Sequence, residues 1–267
     1  MIIDGRVLAK EVLARARARA EALPRRPRVV AFVAPNETAA TRSYLAIKAK
    51  SATLAGCDFE TRDIQITDRP SQYFDIDADA IIVQLPLPAD IATKEILDAI
   101  PLEKDADVLS STARTQSMLL PPVVGAVKEI FDTYHIETKG KHAVVVGNGY
   151  LVGAPAATWL RAEGAEVEVV ERPTDNLAET LLTADIIVSG TGSPHLIKPE
   201  MLKEGVVLID AGTSESSGKI VGDADPACAA KCTLFTPVPG GVGPLAVAKL
   251  FENVVTLAER ATLTKLD

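Results

Sequence analysis

At 267 residues the chain is long enough for two domains of modest size, each able to bury its own core. Hydrophobic residues make up 47% and charged ones 24%, which excludes a largely disordered protein. The net charge of -8 at pH 7 excludes nonspecific nucleic-acid binding, which needs a basic face.

No apolar run approaches the length of a membrane span, and charge in Met1–Arg6 interrupts any signal-peptide core. The expectation is a cytoplasmic protein with no membrane and no nucleic-acid partner. Cys57, Cys228 and Cys232 form no C-x-x-C pair, and His135, His142 and His195 lack ligand spacing. They predict buried thiols and structural imidazoles, with no metal.

In chain order, Asp4 opens a helix that runs toward Pro24, and the side chains of Arg15, Arg17 and Arg19 along it predict a solvated surface. Arg28–Ala34 is an apolar strand, followed by a polar loop. A second helix is predicted from Ser43. On it Tyr44 and Lys48 stand at i and i+4, so both project from one face toward a common ligand. An exposed lysine beside a half-buried tyrosine fits that spacing equally well.

The strand from Ala80 ends abruptly in Val83-Gln84-Leu85 and breaks at Pro86 and Pro88, which cannot continue a central ladder. Gln84 is thereby placed at a strand end, where open α/β sheets form ligand crevices. Satisfaction of a loop backbone is the alternative. Lys104, Asp105 and Asp107 follow a short helix, and a surface ion pair would account for them too.

From Gly140 to Glu171 the pattern is strand, glycine turn, helix, strand. His142–Val146 is β-branched and uncharged after its first residue, as in a strand buried on both faces. Gly147, Gly149 and Gly153 follow with G-x-G-x-x-x-G spacing, letting the backbone approach a pyrophosphate at the start of a helix predicted from about Tyr150. A plain βα turn is the competing reading. Ala165–Val170 alternates and delivers Glu171 to a strand end, where an acid accepts hydrogen bonds from an adenosine ribose. This favours NAD over NADP.

The βα rhythm continues with Ala184–Ser189 before Gly190-Thr191-Gly192, and Gly205–Asp210 before Ala211-Gly212-Thr213. Asp210 and Asp223 read as loop and cap residues. Lys139-Gly140-Lys141 is the expected hinge, and a final helix runs from Leu245 to about Thr262.

Tyr44 and Lys48, Val83–Pro88, Lys104–Asp107, Gly147 with Val152–Pro155, and Thr236–Pro244 together occur in an order that resembles the methylenetetrahydrofolate dehydrogenase/cyclohydrolase family. The resemblance runs from about Ile3 to Glu259. It implies a two-domain α/β fold: a catalytic, folate-binding domain over residues 1–120, a Rossmann-type dinucleotide-binding domain over 121–244, and a C-terminal helix over 245–267 that returns to the first.

It further implies tetrahydrofolate derivatives as substrates, NAD or NADP as cofactor, and oxidation of the methylene group followed by hydrolysis of the methenyl product. Lys48 would be the general acid/base, Gln84 its hydrogen-bond partner, Tyr44 the support for the pterin–aminobenzoate body and Asp107 the acceptor for pterin N–H groups. Val83, Leu85, Pro239, Gly240, Gly241, Val242 and Gly243 would complete the folate wall. Asn148, Val152, Arg172, Thr191, Gly192, Gly212 and Thr213 would join Gly147, Gly149 and Glu171 around the cofactor. A homodimer is the general expectation for an enzyme of this size.

The sequence departs from the family in places. Val108-Leu109 stands where Gly-Phe is usual, and Leu120–Val124 replaces a Pro-Cys-Thr-Pro run. Asn148-Gly149 replaces the Arg-Ser common in NADP-using members, in agreement with NAD. Rival readings are the same fold with one of the two activities, a noncatalytic dinucleotide-binding subunit, and a shikimate-dehydrogenase-like oxidoreductase.

Overall fold

The computed structural model describes residues 1–35, 38–64, 73–89, 91–171, 176–216 and 218–264. The chain divides into two compact units, one of residues 1–9 with 123–246 and the other of 10–122 with 247–267. In chain order the elements are α1 (Gly5–Glu21), β1 (Arg28–Val33), α2 (Ala39–Leu54), β2 (Asp58–Asp63), β3 (Ala80–Val83), α3 (Thr93–Asp98), α4 (Ser111–Gln116) and α5 (Pro122–Tyr134). They continue as β4 (His142–Val146), α6 (Gly153–Ala162), β5 (Glu166–Val170), α7 (Leu177–Thr183), β6 (Ile186–Ser189), β7 (Val206–Asp210), β8 (Ser214–Ser216), β9 (Lys219–Val221), β10 (Cys232–Phe235) and α8 (Val242–Thr264).

The second unit holds a parallel sheet in the order β2-β1-β3. Its central strand is apolar from Val29 to Val33 and buried throughout, as expected for a parallel strand covered on both faces. Phe32 meets Phe74 edge-on with ring centroids 5.2 Å apart, and Ile81, Val83, Ile96, Leu97 and Ile100 complete that core. Each such side chain contributes roughly 1.5–3 kcal/mol by leaving water. α1 adds more than a solvated face: Arg19 forks onto Glu259 at 2.6 and 3.0 Å, although Arg17 only pairs with Glu21 on the surface.

The first unit holds a five-stranded parallel sheet in the order β10-β7-β6-β4-β5. β4, β6 and β7 are apolar runs buried on both faces apart from the half-exposed His142, whereas the edge strand β5 alternates glutamate and valine with its burial. β8 and β9 form an antiparallel hairpin that leaves the end of β7 and brings the chain back at Gly222.

Four boundaries differ from those read in the sequence. α2 starts at Ala39 rather than Ser43, because Thr38 caps it by accepting the N–H of Thr41 at 3.1 Å. α6 starts at Gly153 rather than Tyr150, the intervening residues being spent on a wider glycine turn. α8 starts at Val242 rather than Leu245. Lys139–Lys141 is no hinge: Gly140 donates to Gly164, Lys141 accepts from Glu166, and the segment lies inside one unit. Among the described residues, no helix is long and apolar enough to cross a membrane.

Candidate functional site

In the three-stranded unit the sheet order carries β3 out beside β1, and Gln84 leaves the end of β3 with its N–H on the Phe32 carbonyl at 2.9 Å. The residue is 9% exposed. The amide has one sensible orientation. Its Nε2 donates to the Leu85 carbonyl at 2.7 Å, which only accepts, so Oε1 is left facing outward. Lys48 on α2 donates to that oxygen at 3.0 Å. A strand-end glutamine thus aims the amine of a helical lysine, one N–H of three being committed to it. Tyr44 stands one turn earlier on α2, 44% exposed. Val83 is buried and Leu85 half-buried before the cis Leu85–Pro86 bond.

Asp107 lies close enough to Lys48 for their charges to interact. Burial pushes its carboxyl above the ordinary range, the Lys48 charge pulls it back, and Asp105 adds repulsion. Asp105 itself is 1% exposed and accepts the N–H groups of Leu109 at 3.0 Å and Ser110 at 2.8 Å. Its work is structural: it folds the chain back just after Asp107. Val108 between them takes φ 56°, a left-handed conformation that suits glycine better than a β-branched residue. Asn253 on α8, 8% exposed, fixes the same loop by donating to the carbonyls of Ala106 at 2.9 Å and Leu120 at 3.0 Å. Sequence reading missed Asn253. Its signal was a lone polar side chain on the apolar face of Phe251–Val255.

In the five-stranded unit the glycine turn sits between β4 and α6. Gly147 takes φ 93°, and a Cβ on Gly153 would collide with the Gly147 carbonyl oxygen, so close backbone approach, and not local flexibility, explains both glycines. Val152 ends the turn with no side-chain cap on α6; the Ala154 N–H is spent on the Gly149 carbonyl at 3.1 Å and Pro155 carries none, so this end of the helix closes largely on its own turn. Asn148 and Gly149 are exposed on it, and Asn148 Nδ2 donates to Glu171 Oε1 at 2.9 Å from across the β5 end. Arg172 lies outside the described residues. The widened glycine turn and the strand-end acid fit a dinucleotide.

Thr191 and Gly192 follow β6, and Gly212 and Thr213 follow β7, so all four line the carboxyl edge of the same sheet as Gly147. Thr213 and Gly192 are exposed; Gly212 is buried. Asp210, on β7, accepts three backbone N–H groups, from Gly212, Asp223 and Ala224, at 2.9, 3.2 and 2.8 Å. Burial pushes its carboxyl up to about 6, opposed by the Ala224 N–H and helped by the neighbouring Asp223. Pro239–Gly243 lies in this unit, after the cis Val238–Pro239 bond. There Gly5 donates to Gly240 at 2.9 Å, Gly241 donates to Pro237 at 2.7 Å, and Val242 begins α8. Cys57, Cys228 and Cys232 are buried, and burial pushes their thiols up to about 12, 11 and 12, so none is poised as a nucleophile.

Two family models match the chain: the tetrahydrofolate dehydrogenase/cyclohydrolase catalytic domain over residues 3–107 and the NAD(P)-binding domain of the same family over residues 121–262. The chain is 34% identical to the bifunctional protein FolD of a Hydrogenobaculum species, over 95% of this chain and 97% of that protein. It resembles the crystal structure of the bifunctional methylenetetrahydrofolate dehydrogenase/cyclohydrolase from Campylobacter jejuni, with a TM-score of 0.92, 31% identity and coverage of 98% and 99% of the two chains. It is similar too, at TM-score 0.91 and 30% identity over 98% of each chain, to the Trypanosoma brucei enzyme solved with NADP and an inhibitor.

Proposed function

Because the chain belongs to the tetrahydrofolate dehydrogenase/cyclohydrolase family, we propose that Lys48, held by Gln84 and flanked by Asp107, performs the proton transfers of a folate one-carbon enzyme. The protein is a bifunctional methylenetetrahydrofolate dehydrogenase and methenyltetrahydrofolate cyclohydrolase that uses NAD(P). The observation that carries the residue assignment is the Leu85–Gln84–Lys48 hydrogen-bond chain beside the half-buried carboxyl of Asp107.

Hydrolysis adds water to the methenyl carbon, so a proton must leave the attacking water and another must reach the departing ring nitrogen. The Lys48 Nζ supplies a single group for both. Gln84 holds it in place through an oxygen that cannot turn away without losing the Leu85 contact. Tyr44, one helical turn away, offers an aromatic face for the flat pterin–aminobenzoate body. Asp107 offers a carboxylate to the paired amino and ring N–H donors of the pterin. Val83 and Leu85 are the apolar wall.

A bound nicotinamide cofactor would supply the hydride acceptor. The chain's contribution is to place it: the Gly147–Gly153 turn for the pyrophosphate, and Thr191, Gly192, Gly212 and Thr213 for the nicotinamide end. Glu171, steadied by Asn148, is assigned to the adenosine ribose, where a carboxylate accepts hydroxyl donors and repels an added phosphate. NAD is therefore the proposed cofactor, in a cytoplasmic homodimer.

Following the absorbance of the methenyl intermediate with each cofactor in turn tests this reading. Wild-type enzyme should favour NAD, and Glu171→Ser should shift the NAD-to-NADP ratio of kcat/KM toward NADP by about tenfold, near 1.4 kcal/mol. A wild type that already prefers NADP would remove Glu171 from the ribose.

A further inference from the structure

Asp223 is fully buried, far in sequence from the loops around it, and unused by the roles above. Its Oδ2 accepts the Ser189 hydroxyl at 2.6 Å and the Thr191 N–H at 2.7 Å, while Oδ1 accepts the Ser193 N–H at 2.9 Å. One carboxylate thus clamps the end of β6 and the whole loop that carries Thr191 and Gly192. It also packs on Gly212 so closely that a Cβ there would overlap the carboxyl group. Asp210 answers from the other side: a Cβ on Gly222 would overlap its carboxylate, which receives the N–H of Asp223.

The two acids are therefore interleaved with each other's glycines. The segment bringing Asp223 into place is the return arm of the β8–β9 hairpin, so the loops after β6 and β7 are set by a residue beyond both. Three donors on one buried carboxylate leave it little freedom to shift. Moving it would release the Thr191 and Ser193 N–H groups and the Gly212 contact together.

We propose that Asp223 is a positioning residue for the cofactor, fixing the two glycine loops after β6 and β7 in the shape that receives the nicotinamide end. This rests on the assignment of those loops to the dinucleotide. Asp223 touches no substrate. It acts through Thr191, Ser193 and Gly212, and its loss falls on the affinity for cofactor rather than for folate.

The test is steady-state kinetics of Asp223→Asn, whose amide group matches the carboxyl in shape but presents N–H donors to N–H donors. The KM for the nicotinamide cofactor should rise roughly tenfold or more, as one misplaced buried acceptor implies, with the folate KM within about twofold of wild type. An unchanged cofactor KM overturns the proposal, and so does an equal rise of both KM values with a lowered melting temperature. If Asp223→Asn does not fold, Ser189→Ala removes one of the three bonds and should raise the cofactor KM about threefold; no change overturns the proposal. Calorimetric titration of wild-type enzyme with NAD and with NADP separates the two levels. Binding of neither would sink the cofactor assignment of the loops and this proposal with it, whereas normal wild-type binding with an unaffected variant sinks the role of Asp223 alone.

Discussion

The two units solve opposite problems with the same parallel-sheet architecture. In the three-stranded unit the proposed chemistry sits on side-chain tips: a helical amine and a strand-end amide, aimed by one or two hydrogen bonds, beside a half-buried carboxyl that feels the amine's charge. In the five-stranded unit what is offered is the shape of glycine loops, whose Thr191, Ser193 and Gly212 N–H groups are tied down by the acids Asp223 and Asp210 beneath them. The first arrangement should fail by loss of a functional group while the fold survives. The second should fail by loss of shape.

The sharpest way to break that contrast is Lys48→Met. It keeps the length of the side chain and removes its proton, so hydrolysis of methenyltetrahydrofolate should fall at least about a hundredfold, the lower range for general acid–base catalysis. Binding of NAD to the other unit, measured by calorimetry, should stay within about twofold. A variant that hydrolyses normally would remove the amine from the mechanism.

Asp210 tests the opposite unit through pH. Its folded carboxyl, pushed up to about 6 by burial, binds a proton more readily than in the unfolded chain. The resulting stabilisation is complete below the ordinary carboxylate value near 4 and is lost as pH rises through about 6. Relative to Asp210→Asn, which does not titrate, wild-type stability should drop by about 2–3 kcal/mol between pH 4 and pH 7. Urea unfolding at several pH values can read this from Trp159, the chain's one tryptophan, which lies on α6 in the same unit. A difference that does not change with pH would mean that Asp210 titrates normally.

The same contrast explains what the sequence disclosed. The strands were legible because parallel β1, β4, β6 and β7 are apolar runs between glycine and proline punctuation. Gly147 and Gly153 were legible because close backbone approach admits few other residues. Lys48 and Gln84 are 36 positions apart, and their contact is set by α2 lying on the strand ends. Family resemblance, and not spacing, joined them. Asp223 was read as a loop acid because its three donors come from a loop 30–34 residues earlier. Nothing local marks a carboxylate as a brace for distant N–H groups. Asn253 escaped for the same reason, and the start of α2 was misplaced because Ser43 looks as good a cap as Thr38.

The smallest effect expected concerns Val108, where the side-chain site depends on backbone shape after all. The residue is 1% exposed at φ 56°, a conformation that β-branched residues rarely adopt, and the Asp105 carboxylate imposes it by pulling Leu109 and Ser110 inward. At an ordinary buried valine such as Val30 in β1, glycine should be worse than alanine by about 1.5–2 kcal/mol, from one lost methyl and the greater entropy of the unfolded chain. At Val108 the left-handed backbone penalises alanine but not glycine by about 1–2 kcal/mol. The two penalties nearly cancel there. Val108→Gly and Val108→Ala should therefore have equal stability within about 0.5 kcal/mol by urea unfolding, while the Val30 pair stays well separated. A Val108 pair split as widely as the Val30 pair would show that the turn after Asp107 carries no strain.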